Sequence, residues 1–216
     1  MYQLEVLIRN FMYLLIGAVM TLKITAISVL MGLIIGTFVG MGRLSRRKII
    51  NIPSSIYVEF LRGTPLLVQI FLIYFGLPSL GLNLEAFPAA VIALGINSGA
   101  YVAEIVRAGI QSVPKGQYEA ARSLGMSHTM AMRYVILPQA FRNILPALGN
   151  EFIALLKDSS LVSVIGITEL MKSGQIVISR TFASFSIYGG VALIYFAMTF
   201  TLSRIVRYTE KKLAIG

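Results

Sequence analysis

The chain has 216 residues, of which 56% are hydrophobic and only 13% are charged. Soluble domains contain about 25% charged residues, so this composition excludes an ordinary soluble protein and indicates several membrane spans. The formal net charge is +10. The basic residues lie between long apolar runs, which argues against a nucleic-acid-binding surface. With no cysteine and a single histidine, His128, the chain offers no disulfide, and a histidine-based metal site is not expected.

Five apolar segments are long enough to cross a membrane, since about 20 helical residues span a hydrocarbon core of about 30 Å. The core of the first lies between Lys23 and Arg43, and residues 11–22 extend this helix or lie along the surface. The fourth is interrupted by charged residues. We expect one all-α transmembrane domain over residues 1–216, without a cleavable signal peptide. The predicted spans are about 11–42, 53–76, 86–110, 141–163 and 187–207.

The distribution of basic residues predicts how the chain is oriented in the membrane. Eleven lysines and arginines lie in the segments 43–52, 111–135 and 204–212, and three lie in the segments of the opposite side. Basic residues are enriched in cytoplasmic loops. We therefore expect the N-terminus outside, the C-terminus inside, and the segment 111–135 in the cytoplasm.

The second predicted span contains a Gly-Thr-Pro sequence at its centre. Thr64 is suited to the N-cap of a helix, and Pro65 to its first position, where the missing N–H would be unpaired anyway. This pattern predicts that the span breaks into two half-helices. The N–H groups at the start of the outer half would favour a substrate carboxylate.

Polar residues near the centres of three spans are candidates for substrate contact. A charge there costs about 2.5–3.5 kcal/mol on insertion scales, so such side chains face protein or water. These residues have two possible roles. Glu59 with Arg62, and Glu104 with Arg107, are three residues apart on one helix face and are expected to form internal ion pairs. Residues without such a local partner are expected to line a substrate cavity. The candidates are Arg62, Gly63, Thr64, Gln69, Asn97, Ser98, Glu104, Asn150, Glu151 and Asp158.

Glycines recur every four residues along the first span, at Gly32, Gly36 and Gly40. Such a stripe of small residues lets another helix approach closely. A helix of the same chain is the simplest partner.

Residues 115–135 form a polar segment between apolar ones. Pro114 suits the first turn of a helix, Gly125 suits a left-handed C-terminal cap, and Ser127 can cap a following helix. The segment is therefore predicted to be a short helix, a sharp turn and a second helix that returns to the membrane at Pro138. An ordinary cytoplasmic helix–turn–helix loop has the same local chemistry.

The spacing within this segment resembles the EAA loop of the membrane subunits of binding-protein-dependent ABC importers. It begins with Glu119-Ala120-Ala121, places Gly125 four residues after the second alanine, and ends on Leu137-Pro138. The nine-residue gap of the family pattern is kept, while Val135 stands at the position of its isoleucine. In that family the loop is a short cytoplasmic helix that docks in a groove of the ATPase subunit.

Three further stretches are similar to the polar amino-acid branch of these permeases, which handles histidine, arginine, lysine, glutamine, glutamate and related solutes. They are residues 59–69, 103–109 and 157–161, and they occur in the expected order and topology. The resemblance covers nearly the whole chain. It implies a type I ABC importer permease fold in the bacterial cytoplasmic (inner) membrane, with a cytoplasmic coupling helix.

The resemblance also implies the partners. Two permease subunits, identical or paralogous, would surround one path for a polar amino acid, with a dimer of ATPase subunits beneath and an extracytoplasmic substrate-binding protein above. The chain has no phosphate-binding Gly-x-x-x-x-Gly-Lys-Ser/Thr loop. ATP and magnesium are therefore expected on the ATPase partner, and no cofactor or enzymatic activity on this chain. The coupling residues carried over are Glu119, Ala120, Ala121, Arg122 and Gly125.

Four acidic residues in or near the spans, at Glu59, Glu104, Glu151 and Asp158, favour a basic substrate such as arginine. The main alternative is a channel or secondary transporter that works without ATP, which would explain the polar residues but not the EAA-like loop. An intramembrane enzyme is disfavoured, since no paired catalytic aspartates, metal-binding histidine cluster or nucleophile motif is visible.

Overall fold

A computed structural model describes residues 2–214, and over this range the chain forms helices joined by short turns. The long helices carry the apolar runs of the sequence, and the short ones lie at its Gly- and Pro-containing interruptions. In chain order the α-helices are α1 (Tyr2–Arg43), α2 (Lys48–Gly63), α3 (Leu66–Phe71), α4 (Ala86–Gln111), α5 (Lys115–Ser123), α6 (His128–Ala131), α7 (Leu137–Asp158), α8 (Leu170–Thr181) and α9 (Ser184–Ala214). Short π- and 3₁₀-helical turns follow α3, α6 and α7 at Leu72–Gly76, Leu77–Leu80, Met132–Ile136 and Ser159–Ile165.

Three helices of the described chain, α1, α4 and α9, are each long and apolar enough to cross a membrane. Two bent pairs complete up to five spans if each pair counts as one. One pair joins α2 to the helix that follows it, with a bend of 106°, and the other joins the His128–Ile165 helix to α8, with a bend of 50°. The predicted second span is therefore not a straight helix, and the bend that follows the fourth lies beyond its predicted end.

Several helices extend beyond the predicted spans. The first helix begins at Tyr2, so residues 11–22 are part of it rather than a separate surface segment. The fourth span, predicted at 141–163, is part of a continuous helical stretch from His128 to Ile165. Helix α8 was not predicted, because its polar residues gave it no apolar run of spanning length. It buries only one face, which includes Leu170 and Val177.

The glycine stripe of α1 packs against α4, as predicted for a helix of the same chain. A Cβ atom on Gly36 would lie 2.7 Å from the carbonyl oxygen of Gly99, and one on Gly40 would lie 2.8 Å from that of Ala103. Real side chains do not approach backbone so closely. Because glycine has no side chain, the backbones of α1 and α4 pack in close contact at these positions. Helix α4 lies at the centre of the bundle.

Helix α8 is anchored by a buried carboxylate that the sequence analysis did not single out. Glu169 has no exposed surface and caps α8, accepting hydrogen bonds from the backbone N–H of Lys172 at 2.7 Å and of Met171 at 2.9 Å. The Tyr195 hydroxyl of α9 donates to the same carboxylate at 2.9 Å, and the Thr21 hydroxyl of α1 lies 3.4 Å away. This carboxylate therefore ties three helices together.

Candidate functional site

The second span breaks where the sequence predicted, within the Gly-Thr-Pro sequence after α2. Thr64 and Pro65 have extended backbone, and the helix resumes at Leu66. The N-cap is Pro65 rather than the predicted Thr64, whose hydroxyl instead donates back to the carbonyl of Phe60 at 2.9 Å. Gly63 borders open space. The break is confirmed, and its predicted cap is wrong by one residue.

Two buried amides satisfy the polar groups that the break leaves behind. The side-chain N–H₂ of Gln69 donates to the carbonyl of Leu61 at 2.8 Å and to the hydroxyl of Thr64 at 2.9 Å. The Asn97 amide of α4 donates in turn to the Gln69 side-chain oxygen at 3.0 Å. Since an unpaired buried polar group is costly, these contacts hold the two half-helices at their angle against α4.

A polar contact between α4 and α7 lies nearby. The buried hydroxyl of Ser98 donates to Glu151 at 3.0 Å, so Glu151 has a tertiary partner that its sequence neighbours did not reveal. Asp158 follows Glu151 by seven residues, which places both on one face of α7, about 10 Å apart along the axis. We call Glu151 and Asp158 the acidic pair. Asn150 and Asp158 are exposed, and Glu151 is half-buried.

Three arginines converge on one carboxylate at the side predicted to be cytoplasmic. Glu104 accepts from Arg107 Nε at 3.1 Å, and Arg43 at the end of α1 contacts the same carboxylate. Arg62 lies 3.9 Å from it. We call these four residues the arginine cluster. The predicted ion pair of Glu104 with Arg107 is confirmed. That of Glu59 with Arg62 is wrong, because across residues 2–214 the carboxylate partner of Arg62 is Glu104.

Arg62 of the arginine cluster also packs against a ring of α4. The guanidinium of Arg62 lies 5.3 Å from the centre of the Tyr101 ring, in a cation–π contact. Asn97 binds Gln69 at the break and its neighbour Ser98 binds Glu151, so Glu151 of α7 lies near the break that follows Arg62 of α2.

The predicted coupling segment contains the turn that its sequence indicated. Gly125 has φ +83°, in the left-handed region. Its N–H bonds the carbonyl of Arg122 at 3.1 Å and the N–H of Met126 bonds that of Ala121 at 3.2 Å, the pair of bonds that defines a Schellman cap. Ser127 accepts from the N–H of Met130 at 3.3 Å and caps α6, as predicted. Pro114 precedes α5 as its N-cap rather than lying in its first turn.

Some side chains of the segment 115–135 are buried against the rest of the protein, and others are exposed; we call the exposed ones the outer set. Ala121 is buried, whereas Glu119, Ala120 and Arg122 are exposed. Leu124, which the sequence analysis did not single out, is 80% exposed, an unusual state for a leucine at a turn. The outer set is therefore free to contact another protein.

The segment is held in place by contacts that the sequence analysis missed. The Tyr118 hydroxyl of α5 and His128 Nδ1 of α6 are 3.0 Å apart, which joins the two short helices. Both residues line a cavity of about 600 Å³, together with Ile110 at the end of α4 and Met132. Both polar side chains lie within the predicted segment, but only the fold shows that they meet.

Residues 28–215 match the family described as binding-protein-dependent transport system inner membrane component. The chain belongs to this family. The permease is thus a multi-pass protein of the inner membrane and a transport subunit rather than a catalyst. The resemblance predicted from the EAA-like segment is confirmed.

Relatives of this permease carry amino acids according to their names. It is 42% identical over 209 residues to the probable glutamine ABC transporter permease protein GlnM of Bacillus subtilis, covering 97% of each chain. It is 43% identical over 201 residues to the glutamine transport system permease protein GlnP of Escherichia coli, covering 92% of each chain. The permease is therefore the membrane component of an ABC amino-acid importer.

Solved structures agree with this assignment. The permease is 52% identical to a chain of an amino acid ABC transporter crystallised with histidines, with a TM-score of 0.92 over 95% of this chain and 96% of that one. A chain of the MetNI methionine ABC transporter in an inward-facing conformation has a TM-score of 0.73 at 23% identity, over 93% of this chain and 98% of that one. The latter supports the fold alone.

Proposed function

We propose that this permease imports a basic amino acid such as arginine, driven by ATP hydrolysis on a separate subunit. The observation that carries the substrate class is the charge composition beside the break. A basic amino acid brings two cationic groups and one carboxylate. The acidic pair offers two carboxylates on α7, and Arg62 offers one guanidinium at the end of α2.

The geometry of the acidic pair supports the same class of substrate. Its two residues are about 10 Å apart along the axis of α7, so one carboxylate can bind the α-ammonium while the other binds the cationic end of a long side chain. A neutral amino acid such as glutamine would leave one carboxylate without a positive partner, which is unfavourable where water is scarce. The neighbour crystallised with histidines is consistent with a substrate of this kind.

The coupling part of the proposal rests on the exposed face of the segment 115–135. Glu119, Ala120 and Arg122 point outward on a helix whose end is fixed by Gly125. ATP binding closes the ATPase pair, the two segments move together, and the helix bundles rock to open the path outward. Hydrolysis resets them. ATP and magnesium bind to the ATPase. This chain moves with the ATPase and takes no part in the hydrolysis reaction.

The proposed assembly contains two permease subunits, either two copies of this chain or one copy with a paralogue. A single subunit with up to five spans is too small to enclose a gated path. The surfaces of α2, α4 and α7 that carry Arg62, Tyr101 and Asp158 are exposed in the single chain, as expected if they line a path shared with a second subunit. An extracytoplasmic binding protein delivers the amino acid, and lipid surrounds the apolar outer faces.

The decisive experiment is uptake into proteoliposomes that contain this permease and its ATPase subunit. Labelled arginine, histidine, glutamine and glutamate are each tested with and without ATP and binding protein. ATP-dependent accumulation of arginine or histidine is the expected result. Accumulation of glutamine alone would overturn the basic-substrate proposal but leave the importer intact.

Two other outcomes bear on the remaining parts of the proposal. Uptake that is indifferent to ATP would favour a channel or an ATP-independent secondary transporter. ATP hydrolysis without uptake would contradict function as a homodimer, and restoration of uptake by a paralogous permease would identify the missing half.

A further inference from the structure

We propose that Arg62 binds the carboxylate of the transported amino acid, and that Glu104 holds the Arg62 guanidinium while the site is empty. The inference rests on the proposed function for the site but not on the identity of the amino acid, because every amino acid presents this carboxylate. It assigns to Arg62 the part that the sequence analysis gave to N–H groups of the outer half-helix.

Arg62 is the most weakly held member of the arginine cluster. Its guanidinium is 3.9 Å from Glu104, whereas Arg107 donates directly to that carboxylate at 3.1 Å. Its side chain is 41% exposed, compared with 15% for Arg43 and 28% for Arg107. Arg62 is therefore the arginine that can leave the cluster.

Departure of Arg62 leaves no carboxylate unpaired. Glu104 keeps its contacts with Arg43 and Arg107, so the high cost of a half-buried carboxylate without a partner does not arise. The cluster carries three positive charges and one negative charge, and this net positive charge favours binding of an anion. A guanidinium binds a carboxylate through two parallel hydrogen bonds, which gives direction as well as charge.

The position of Arg62 suits an exchange between the two partners. It is the second-last residue of α2, followed by Gly63 with open space around it and by the break. Its guanidinium lies 3.9 Å from Glu104 and over the exposed Tyr101 ring of α4, about one helical turn from Ser98, which binds Glu151. Gln69 binds the carbonyl of Leu61 and the hydroxyl of Thr64 at the break. Arg62 is the exposed cation next to the break that can receive a substrate carboxylate.

The test compares an amino acid with its decarboxylated analogue. Binding of arginine and of agmatine is measured on the detergent-solubilised permease–ATPase complex without the binding protein, so that the binding protein's own selectivity does not contribute. If the wild-type complex binds glutamine instead, the pair becomes glutamine and 4-aminobutanamide. The test therefore still applies if the transported amino acid is not a basic one.

We expect the wild-type complex to prefer the amino acid, and Arg62→Gln to weaken its binding at least about tenfold, since hydrogen bonds to charged groups contribute about 1.5–3 kcal/mol. Binding of the analogue should change less than about twofold on that basis, because it has no carboxylate to lose. Arg62→Lys keeps the charge without the paired hydrogen bonds and should restore part of the preference.

Arg107→Gln is the matched control, because it removes another arginine from the same carboxylate. It should change binding of the amino acid and of the analogue by the same factor. The proposal is overturned if Arg62→Gln weakens both ligands equally, if it weakens neither, or if Arg107→Gln abolishes the preference as well. A wild-type complex that does not distinguish the two ligands would overturn it too.

Discussion

Two interruptions between helices, one in the coupling segment and one in the second span, are built in opposite ways. At Gly125 the chain turns with bonds among residues 121–130: a left-handed glycine, two backbone bonds of a Schellman cap, and the Ser127 cap. At Thr64 the chain bends by 106° without any left-handed residue, and its polar groups are bound by Gln69 and by Asn97 from another helix. The first interruption is local, and the second depends on the packed bundle.

The difference fits the role that we propose for each interruption. A locally determined turn keeps its shape whatever the spans do, which suits a segment that transmits movement as a rigid body. A break held by contacts between helices responds when those helices move, which suits a place where substrate passes. Four substitutions test this contrast, in order of decreasing expected effect.

The break should be the more sensitive site for stability. Gln69→Leu removes the donor to Leu61 and Thr64 and the acceptor of Asn97, leaving buried polar groups unpaired. We expect a loss of about 2–3 kcal/mol in the free energy of unfolding. Thermal unfolding of the purified permease in detergent measures it, with Gln117→Leu on the exposed face of α5 as control. Equal unfolding temperatures for the two variants would contradict a structural role for Gln69.

The turn should be the more sensitive site for coupling. Gly125→Val places a branched side chain at φ +83°, a conformation that costs about 1–2 kcal/mol for a residue with a Cβ atom. We expect ATP-driven uptake to fall about tenfold while the spans stay inserted and ATP hydrolysis continues, because strain of this size distorts the segment without unfolding the bundle. Gly116→Val, which also has open space but no positive φ, is the control. Normal uptake by Gly125→Val would refute the coupling role of the turn.

The acidic pair should affect selectivity rather than stability. In Glu151→Gln the amide oxygen can still accept from Ser98, so the contact between α4 and α7 is kept while the charge is lost. We expect arginine uptake to weaken about tenfold and glutamine uptake to change less than about twofold, as for loss of one charged hydrogen bond. Glu59→Gln, at an exposed carboxylate, serves as control. Equal effects on both substrates would show that Glu151 is structural.

The smallest effect is expected at the cap of α6. Ser127→Ala removes the acceptor for the Met130 N–H, which should cost about 1 kcal/mol and speed local hydrogen exchange about fivefold. Exchange of the 126–131 amides measures it. Ser123→Ala is the matched control, since that hydroxyl donates back to a carbonyl within α5 and caps no N–H. Similar exchange in both variants would mean that the turn does not depend on its cap.

The sequence predicted the features whose causes lie within a few residues. The apolar runs of the first, third and fifth predicted spans, the left-handed Gly125 and the break before Pro65 all follow from local patterns, and the structure contains them. The glycine stripe was also interpreted correctly, because a helix face without side chains needs a close partner.

Contacts with a partner distant in the chain could not be predicted from local patterns. Arg62 was expected to pair with Glu59, three residues away, but its partner is Glu104, 42 positions along the chain. It also missed α8 and its buried anchor Glu169, whose partners lie on α1 and α9. Nothing within a few residues of Glu169 distinguishes it from an exposed acidic cap.

By itself the sequence determined that the protein is a membrane permease with an EAA-like segment, because hydrophobicity, backbone conformation and motif spacing are properties of neighbouring residues. Only the tertiary structure decided which charges pair and which polar groups are bound. The pairing of charges and the binding of polar groups depend on the distances between helices. These distances are set by close packing, such as that of Gly36 against Gly99. In a membrane, where unpaired polar groups are costly, packing therefore determines which polar residues are left to meet the substrate.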